Sequence, residues 1–172
     1  MQHDSVDRHI EHWIKDIPDL DPLVEGAITR MQMLVKHLKQ HRHLTIEAHD
    51  LEVHEFETLH MLGGCGPDNR ATPTQIAQWL QMSPAAITGR LDALERRGFV
   101  RRLPSADDRR KVIVELTPAG RRVWRKAGDQ MGDEEARILG ALAPGEQKEL
   151  ADLLRRMFRL IDRPALLPTP KG

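Results

Sequence analysis

The sequence predicts a mainly α-helical chain in which two short helices and a β-hairpin sit between long amphipathic helices. Three observations predict it. Along most of the chain, apolar residues recur at alternating steps of three and four, the spacing of a single helix face. Three hydroxyl-proline pairs, Thr72-Pro73, Ser83-Pro84 and Thr117-Pro118, have the form of a helix cap followed by the first helical residue. Between the second and third pair the period falls to two, with Val112, Val114 and Leu116 alternating with Ile113 and Glu115, as in a strand.

Each element follows in order. Val6, Ile10, Trp13 and Ile17 mark a first helix, capped by Asp4 or Ser5 and stopped by Pro18. Val24, Ile28, Met31, Val35 and Leu38 form a longer seam suited to packing on another helix, in the same chain or in a partner. A third helix is expected over 47–62, with Val53, Phe56, Leu59 and Leu62 inward, before Gly63-Gly64-Cys65-Gly66-Pro67 breaks it. Thr72-Pro73-Thr74-Gln75 reads as a capping box opening a short helix with Ile76 and Leu80 inward. A tight Gln81-Met82 connection leads to the helix opened by Ser83-Pro84, with Ile87, Leu91 and Leu94 inward and Gly98 as a left-handed stop. Two short helices joined this tightly form a helix-turn-helix. Phe99, Val100 and Leu103 lead into a polar turn at Pro104-Ser105-Ala106-Asp107-Asp108 and then into the 112–116 strand, making a hairpin. Thr117-Pro118 opens a long helix through about Leu142, weakened by Gly120, Gly128, Gly132 and Gly140. Leu150, Leu153, Leu154, Met157 and Ile161 form a last apolar stripe, and Pro164 begins a tail.

At 172 residues, 40% of them hydrophobic and 30% charged, the chain is large enough for one core, built without Tyr and with only three Phe and three Trp. No apolar run approaches the ~20 residues of a membrane span. Met1-Gln2-His3-Asp4-Ser5 is polar and mixed in charge, unlike a signal peptide, and the single Cys fits a reducing cytoplasm. The zero net charge conceals a segregation. Residues 70–126 hold 13 Lys and Arg against five acids, a balance of +8, and the rest of the chain holds 13 against 21, or −8. A concentrated basic segment on a neutral chain is the electrostatic footprint of a phosphate-contacting module. An enzyme would need a nucleophile and a base on rigid elements, and neither Cys65 with His60 nor any Ser/His/Asp arrangement supplies them. His9 with His12 and His37 with His41 have helical spacing, but no His follows His60 and no second Cys joins Cys65, so neither metal nor cofactor is expected.

A helix-turn-helix followed at once by a hairpin is a winged helix-turn-helix. The run Ser83-Pro84-Ala85-Ala86-Ile87-Thr88-Gly89-Arg90-Leu91-Asp92-Ala93-Leu94-Glu95-Arg96-Arg97-Gly98, the wing Asp107-Asp108-Arg109-Arg110-Lys111 and Leu116-Thr117-Pro118-Ala119-Gly120 resemble the MarR family of transcriptional regulators. The resemblance implies one MarR-like domain. Residues 1–45 would carry an extra helix and the dimerisation helix, 46–118 the winged helix-turn-helix, 119–163 the C-terminal dimerisation helices and 164–172 a tail. It also implies a homodimer on double-stranded, palindromic DNA.

With Ile87, Leu91 and Leu94 inward, Ala85, Ala86, Thr88, Gly89, Arg90 and Asp92 fall on outward or flanking faces. Small residues permit close approach to base edges, and Arg90 can fork onto a guanine. Thr72, Thr74 and Ser83, followed by Pro84, stand at helix starts where backbone N–H groups and hydroxyls suit phosphate oxygens. Arg96 and Lys111 add candidate backbone contacts. The resemblance puts a wing arginine in the minor groove; Arg109 matches best, with Asp108 and Arg110 bracing the hairpin, although Arg109 and Arg110 can exchange roles. Trp13, Glu57, Arg90 and Arg102 match positions that frame the ligand pocket in the urate-responsive branch, with Glu57 where an aspartate is usual. Those groups suit a small planar aromatic or purine-like acid, whose binding would release a repressor from its operator. The competing readings are a helical homodimeric interaction module that never touches DNA and a metal- or redox-responsive relative.

Overall fold

Asp4 accepts the backbone N–H groups of Val6 and Asp7, and the Asp7 carboxylate accepts the Asp4 N–H, so α1 (Ser5–Trp13) begins in a closed capping box. The structure, a computed structural model, describes residues 3–64, 69–105 and 111–162. The chain divides into two compact units between His43 and Leu44.

In the first unit, α1 buries Val6 and Ile10 as their spacing predicts. It ends at Trp13, and Ile17 lies beyond it in a closing turn where Ile17 N donates to Trp13 O at 2.8 Å; Pro18, which has no amide donor, follows. Asp21 and Pro22 are a further cap-plus-proline start, the Asp21 carboxylate accepting from Leu23 N and Val24 N at 2.8 and 3.2 Å to open α2 (Pro22–Ala48). Arg30 ties α1 to α2, its Nε lying 2.9 Å from Asp4 and its Nη2 2.6 Å from Asp7. The Arg30 hydrogen bond holds the Asp4 carboxyl down at about 2. Val24, Ile28 and Val35, three of the five residues of the expected seam, lie exposed along α2.

The second unit holds the core. α2 runs on to Ala48, and Asp50 turns the chain in the left-handed region (φ 54°), so α3 (Val53–Gly63) begins six residues later than the periodicity places it. β1 (Arg70–Ala71), α4 (Pro73–Trp79) and α5 (Pro84–Arg96) follow, then β2 (Val100–Pro104), β3 (Val112–Leu116), α6 (Pro118–Leu139) and α7 (Pro144–Phe158). The sheet has three antiparallel strands in the order β1-β3-β2, not the expected two-stranded wing alone. The added strand is two residues long, too short to show a period. Leu59, Leu62, Ile76, Ile87, Leu91, Leu94, Val100 and Val114 are buried together, so α3, α4, α5 and the sheet share one core.

Gly98 takes φ +70°, the left-handed stop expected after α5. Thr117 caps α6 and donates its hydroxyl to Gly98 O at 2.6 Å, which closes the hairpin's exit onto its entry. Gly120 has its own reason: a Cβ there would run into the Phe99 carbonyl. α6 runs unbroken through Gly128 and Gly132 but stops at Leu139, three residues short of the expected end. α7 buries none of its residues, and Leu153, Leu154 and Met157 lie exposed; Ile161 falls beyond its end. Among the described residues, no helix is long and apolar enough to cross a membrane.

Candidate nucleic-acid interface

α5 divides cleanly into two faces. Ile87, Leu91 and Leu94 are buried, while Ser83, Pro84, Ala85, Ala86, Thr88, Gly89 and Arg96 are exposed. Nothing lies within 4 Å of a Cβ built on Gly89, so this part of the surface is open to a close-approaching partner. Ser83 Oγ accepts from Ala86 N at 3.3 Å, and Thr88 Oγ1 donates to Pro84 O at 2.9 Å, so both hydroxyls serve the helix as well as facing solvent.

α4 presents a second edge. Thr72 and Gln75 form the capping box read from the sequence, with Thr72 N donating to Gln75 Oε1 at 2.8 Å and Gln75 N to Thr72 Oγ1 at 3.2 Å. Thr72 and Thr74 line a groove of about 540 Å³ together with Gln75, Lys111 and Val112. The groove thus gathers three of the expected phosphate contacts, Thr72, Thr74 and Lys111, at the base of the wing. Asp108, Arg109 and Arg110, expected at the wing tip, and Cys65 lie outside the described residues.

The arginines expected to frame a ligand divide into two settings. Arg90 turns back from α5 onto α3, its Nη1 3.4 Å from His54 O and 4.0 Å from Glu57 Oε2, so Arg90 and Glu57 come together. Arg102 is instead held on β2 by two acids of α5, Asp92 at 2.7 Å and Glu95 at 2.6 Å, and its backbone N–H donates to Glu95 Oε1 at 3.0 Å. Burial works against the Arg102 charge, but these two carboxylates outweigh it and raise its pKa. Arg102 therefore bolts the hairpin to the exposed helix. In the first unit, the Trp13 ring is flanked by His9 and His12 of its own helix, with centroids 6.0 and 5.7 Å away.

One arrangement is not visible in the sequence. Glu115, on the nominally outward side of β3, is buried beneath Arg70 and Arg101, whose Nε atoms each donate to its carboxylate at 2.5 Å. Long arginine stems cover the carboxylate while the guanidiniums stay in water. Burial alone would raise the Glu115 carboxyl; the two arginines more than reverse it and hold it below its usual range. A depressed folded-state pKa contributes stability that is complete above the unfolded value and is lost as pH falls through the folded one. The urea midpoint should therefore drop on acidification below about pH 4.5, and Glu115→Gln should remove part of that drop. Equal acid profiles for the parent and Glu115→Gln would show the pair to be energetically silent.

The comparisons with known proteins agree with this geometry. Residues 51–112 match the family model described as MarR family. The chain is 30% identical over 151 residues to the HTH-type transcriptional regulator PecS of Dickeya dadantii (strain 3937), covering 86% of this chain and 89% of that one. Its fold is that of the YusO protein from Bacillus subtilis (TM-score 0.71, 20% identity, 82% of this chain and 98% of the other). It is also that of a point mutant of S. aureus MepR bound to an oligodeoxyribonucleotide (TM-score 0.63, 21% identity, 79% and 98%). PecS, the relative matched in sequence over most of the chain, is a transcriptional regulator and not an enzyme. With a PecS likeness that spans both chains almost end to end, and a winged helix-turn-helix beneath it, this protein belongs to the MarR family of transcriptional regulators.

Proposed function

We propose that the protein is a two-fold dimer that represses transcription from a palindromic operator and is released by a small planar anion carrying an N–H or O–H donor. The observation that carries the DNA reading is the exposed face of α5. Four small residues, Ala85, Ala86, Thr88 and Gly89, stand uncovered in the basic segment, and the Thr72–Lys111 groove lies beside the wing base. A MarR-type fold neighbour, the MepR mutant, is itself bound to an oligodeoxyribonucleotide. The dimer reading rests on the wet apolar residues Val24, Ile28 and Val35 of α2 and Leu153, Leu154 and Met157 of α7. Covering an aliphatic side chain is worth ~1.5–3 kcal/mol, so a second copy is the natural cover.

The effector reading rests on the family resemblance for Trp13 and on the Glu57–Arg90 pair. A planar acid would take Arg90 through its carboxylate and Glu57 through a donor, drawing on the same arginine that α5 would offer to DNA. Arg102 adds a route to the wing, because an anion competing with Asp92 and Glu95 would loosen the hairpin from α5. Release then requires the anion to favour the DNA-incompetent state by a differential free energy.

A gel shift with the duplex upstream of the protein's own gene tests the reading. A sequence-selective shift is expected at low salt, reversed by small aromatic acids; no selective shift would leave a helical interaction module in its place. Trp13→Phe and Glu57→Gln should bind the duplex like the parent yet need more acid for release. Release at the parent's acid concentration by both variants would move the effector elsewhere.

A further inference from the structure

Arg70, Glu115 and Arg101 stand in one row across the sheet, one on each strand, because Arg70 and Arg101 are both in register with Glu115. Alternation along β2 puts Arg101 on the opposite face from Val100, which is buried, and from Arg102, which is bolted to α5. The row therefore belongs to the outer face of the sheet. Its central carboxylate is 7% exposed, whereas the flanking Arg70 and Arg101 side chains are 53% and 58% exposed. Glu115 also does what two neighbouring arginines cannot do alone: from backbones roughly two strand spacings, or ~10 Å, apart, it draws their guanidiniums onto one carboxylate and holds them there against their mutual repulsion.

The position of the row gives it a use. Arg70 lines an open groove of about 390 Å³ with Gln75, Ser105, Leu103 and Ile113. Gln75 also lines the groove that holds Thr72, Thr74 and Lys111. The two grooves therefore share one residue, and Arg70, at one end of the row, lines the groove next to the surface read above as facing the phosphate backbone. An exposed, pre-positioned pair of guanidinium forks suits phosphate oxygens better than any neutral partner.

We propose that Arg70 and Arg101, held side by side by Glu115, form an outer phosphate-binding pair that extends the DNA contact onto the duplex flanking each half-site. The pair rests on the DNA reading above, and the test separates the two. Binding is measured between 50 and 200 mM salt for parent, Arg70→Gln and Arg101→Gln. Two duplexes are used, one trimmed at the half-site edges and one extended by about a helical turn at each end. On the extended duplex each Gln variant should flatten the log–log salt slope by ~0.9 per lost phosphate, or ~1.8 for a dimer with two such sites. On the trimmed duplex the variants should match the parent. Arg70→Lys and Arg101→Lys keep the charge and should keep most of the slope, which separates phosphate binding from damage to the sheet. Parental slopes for both Gln variants on the extended duplex, or equal losses on both duplexes, would overturn the proposal. A parent that shifts neither duplex would overturn the DNA reading itself and this pair with it.

Discussion

Leu94→Ala is expected to destabilise the second unit by about 2–5 kcal/mol, the range for truncating a fully enclosed leucine. Leu94 has no exposed surface and lies in the cluster that contains Leu91, Val100 and Val114. Its carbonyl accepts from Phe99 N at 2.9 Å, across the turn in which Gly98 takes its left-handed conformation. The side chain therefore sits where α5 becomes β2. Collapse of the site is blocked nearby, because Gly120 abuts Phe99 and leaves no slack for the backbone to move inward. Truncation should leave a cavity rather than a relaxed core, which places the loss in the upper part of that range. The urea midpoint of unfolding measures it. A loss below about 1 kcal/mol would mean that α5 and the sheet do not share one core. Since typical domains hold only ~5–15 kcal/mol in total, DNA binding by this variant is best measured well below its unfolding temperature.

How much of the fold is legible in the sequence depends on whether each signal is local. The starts at Thr72-Pro73, Ser83-Pro84 and Thr117-Pro118 are legible because a cap and its proline are adjacent in sequence and act within one turn. Gly98 is legible for the same reason: a left-handed stop favours the residue without a Cβ. The start of α3 is not, because the turn before it is made by Asp50, a non-glycine residue at positive φ, and apolar spacing runs straight through it. Gln81 makes the helix-turn-helix connection in the same way, at φ 51°. β1 is two residues long, and its pairing with β3 depends on contacts some 45 residues away.

The charged constellations are hidden for a related reason. Arg102 can be matched to a ligand frame by position, but its partners Asp92 and Glu95 follow from how the hairpin lies on α5. Glu115 reads in sequence as an outward residue of an alternating strand. Only the register of three strands reveals two arginines closing over it. Alternation gives the face on which a side chain emerges; it does not give what the neighbouring strands bring to cover it.

The second large effect concerns salt. If the dimer neutralises about 6–10 phosphates, its affinity for the operator should fall ~10³–10⁵-fold between 50 and 200 mM salt. The surplus of +8 over residues 70–126 supplies those charges, and the structure already commits part of it: Arg102 to Asp92 and Glu95, Arg97 to Glu55 and Asp50. The exposed Lys111 and Arg96 remain for the backbone. Arg90 should behave differently. It lies on α5 beside Thr88 and Gly89, and in this structure its guanidinium rests on α3, 4.0 Å from Glu57. To reach a base edge it must leave that partner, which costs little because the pair is long and partly exposed. Arg90→Ala should therefore remove ~1–3 kcal/mol of discrimination at one base position while leaving the salt slope nearly parental. Lys111→Ala should do the reverse, weakening operator and random duplex alike and flattening the slope by about 0.9 for each phosphate lost. Competition titrations with operator and random duplexes across the salt range read both quantities at once. Equal losses on the two duplexes for Arg90→Ala would make it a backbone contact, and base reading would then fall to the small residues of α5 and to the shape of the DNA.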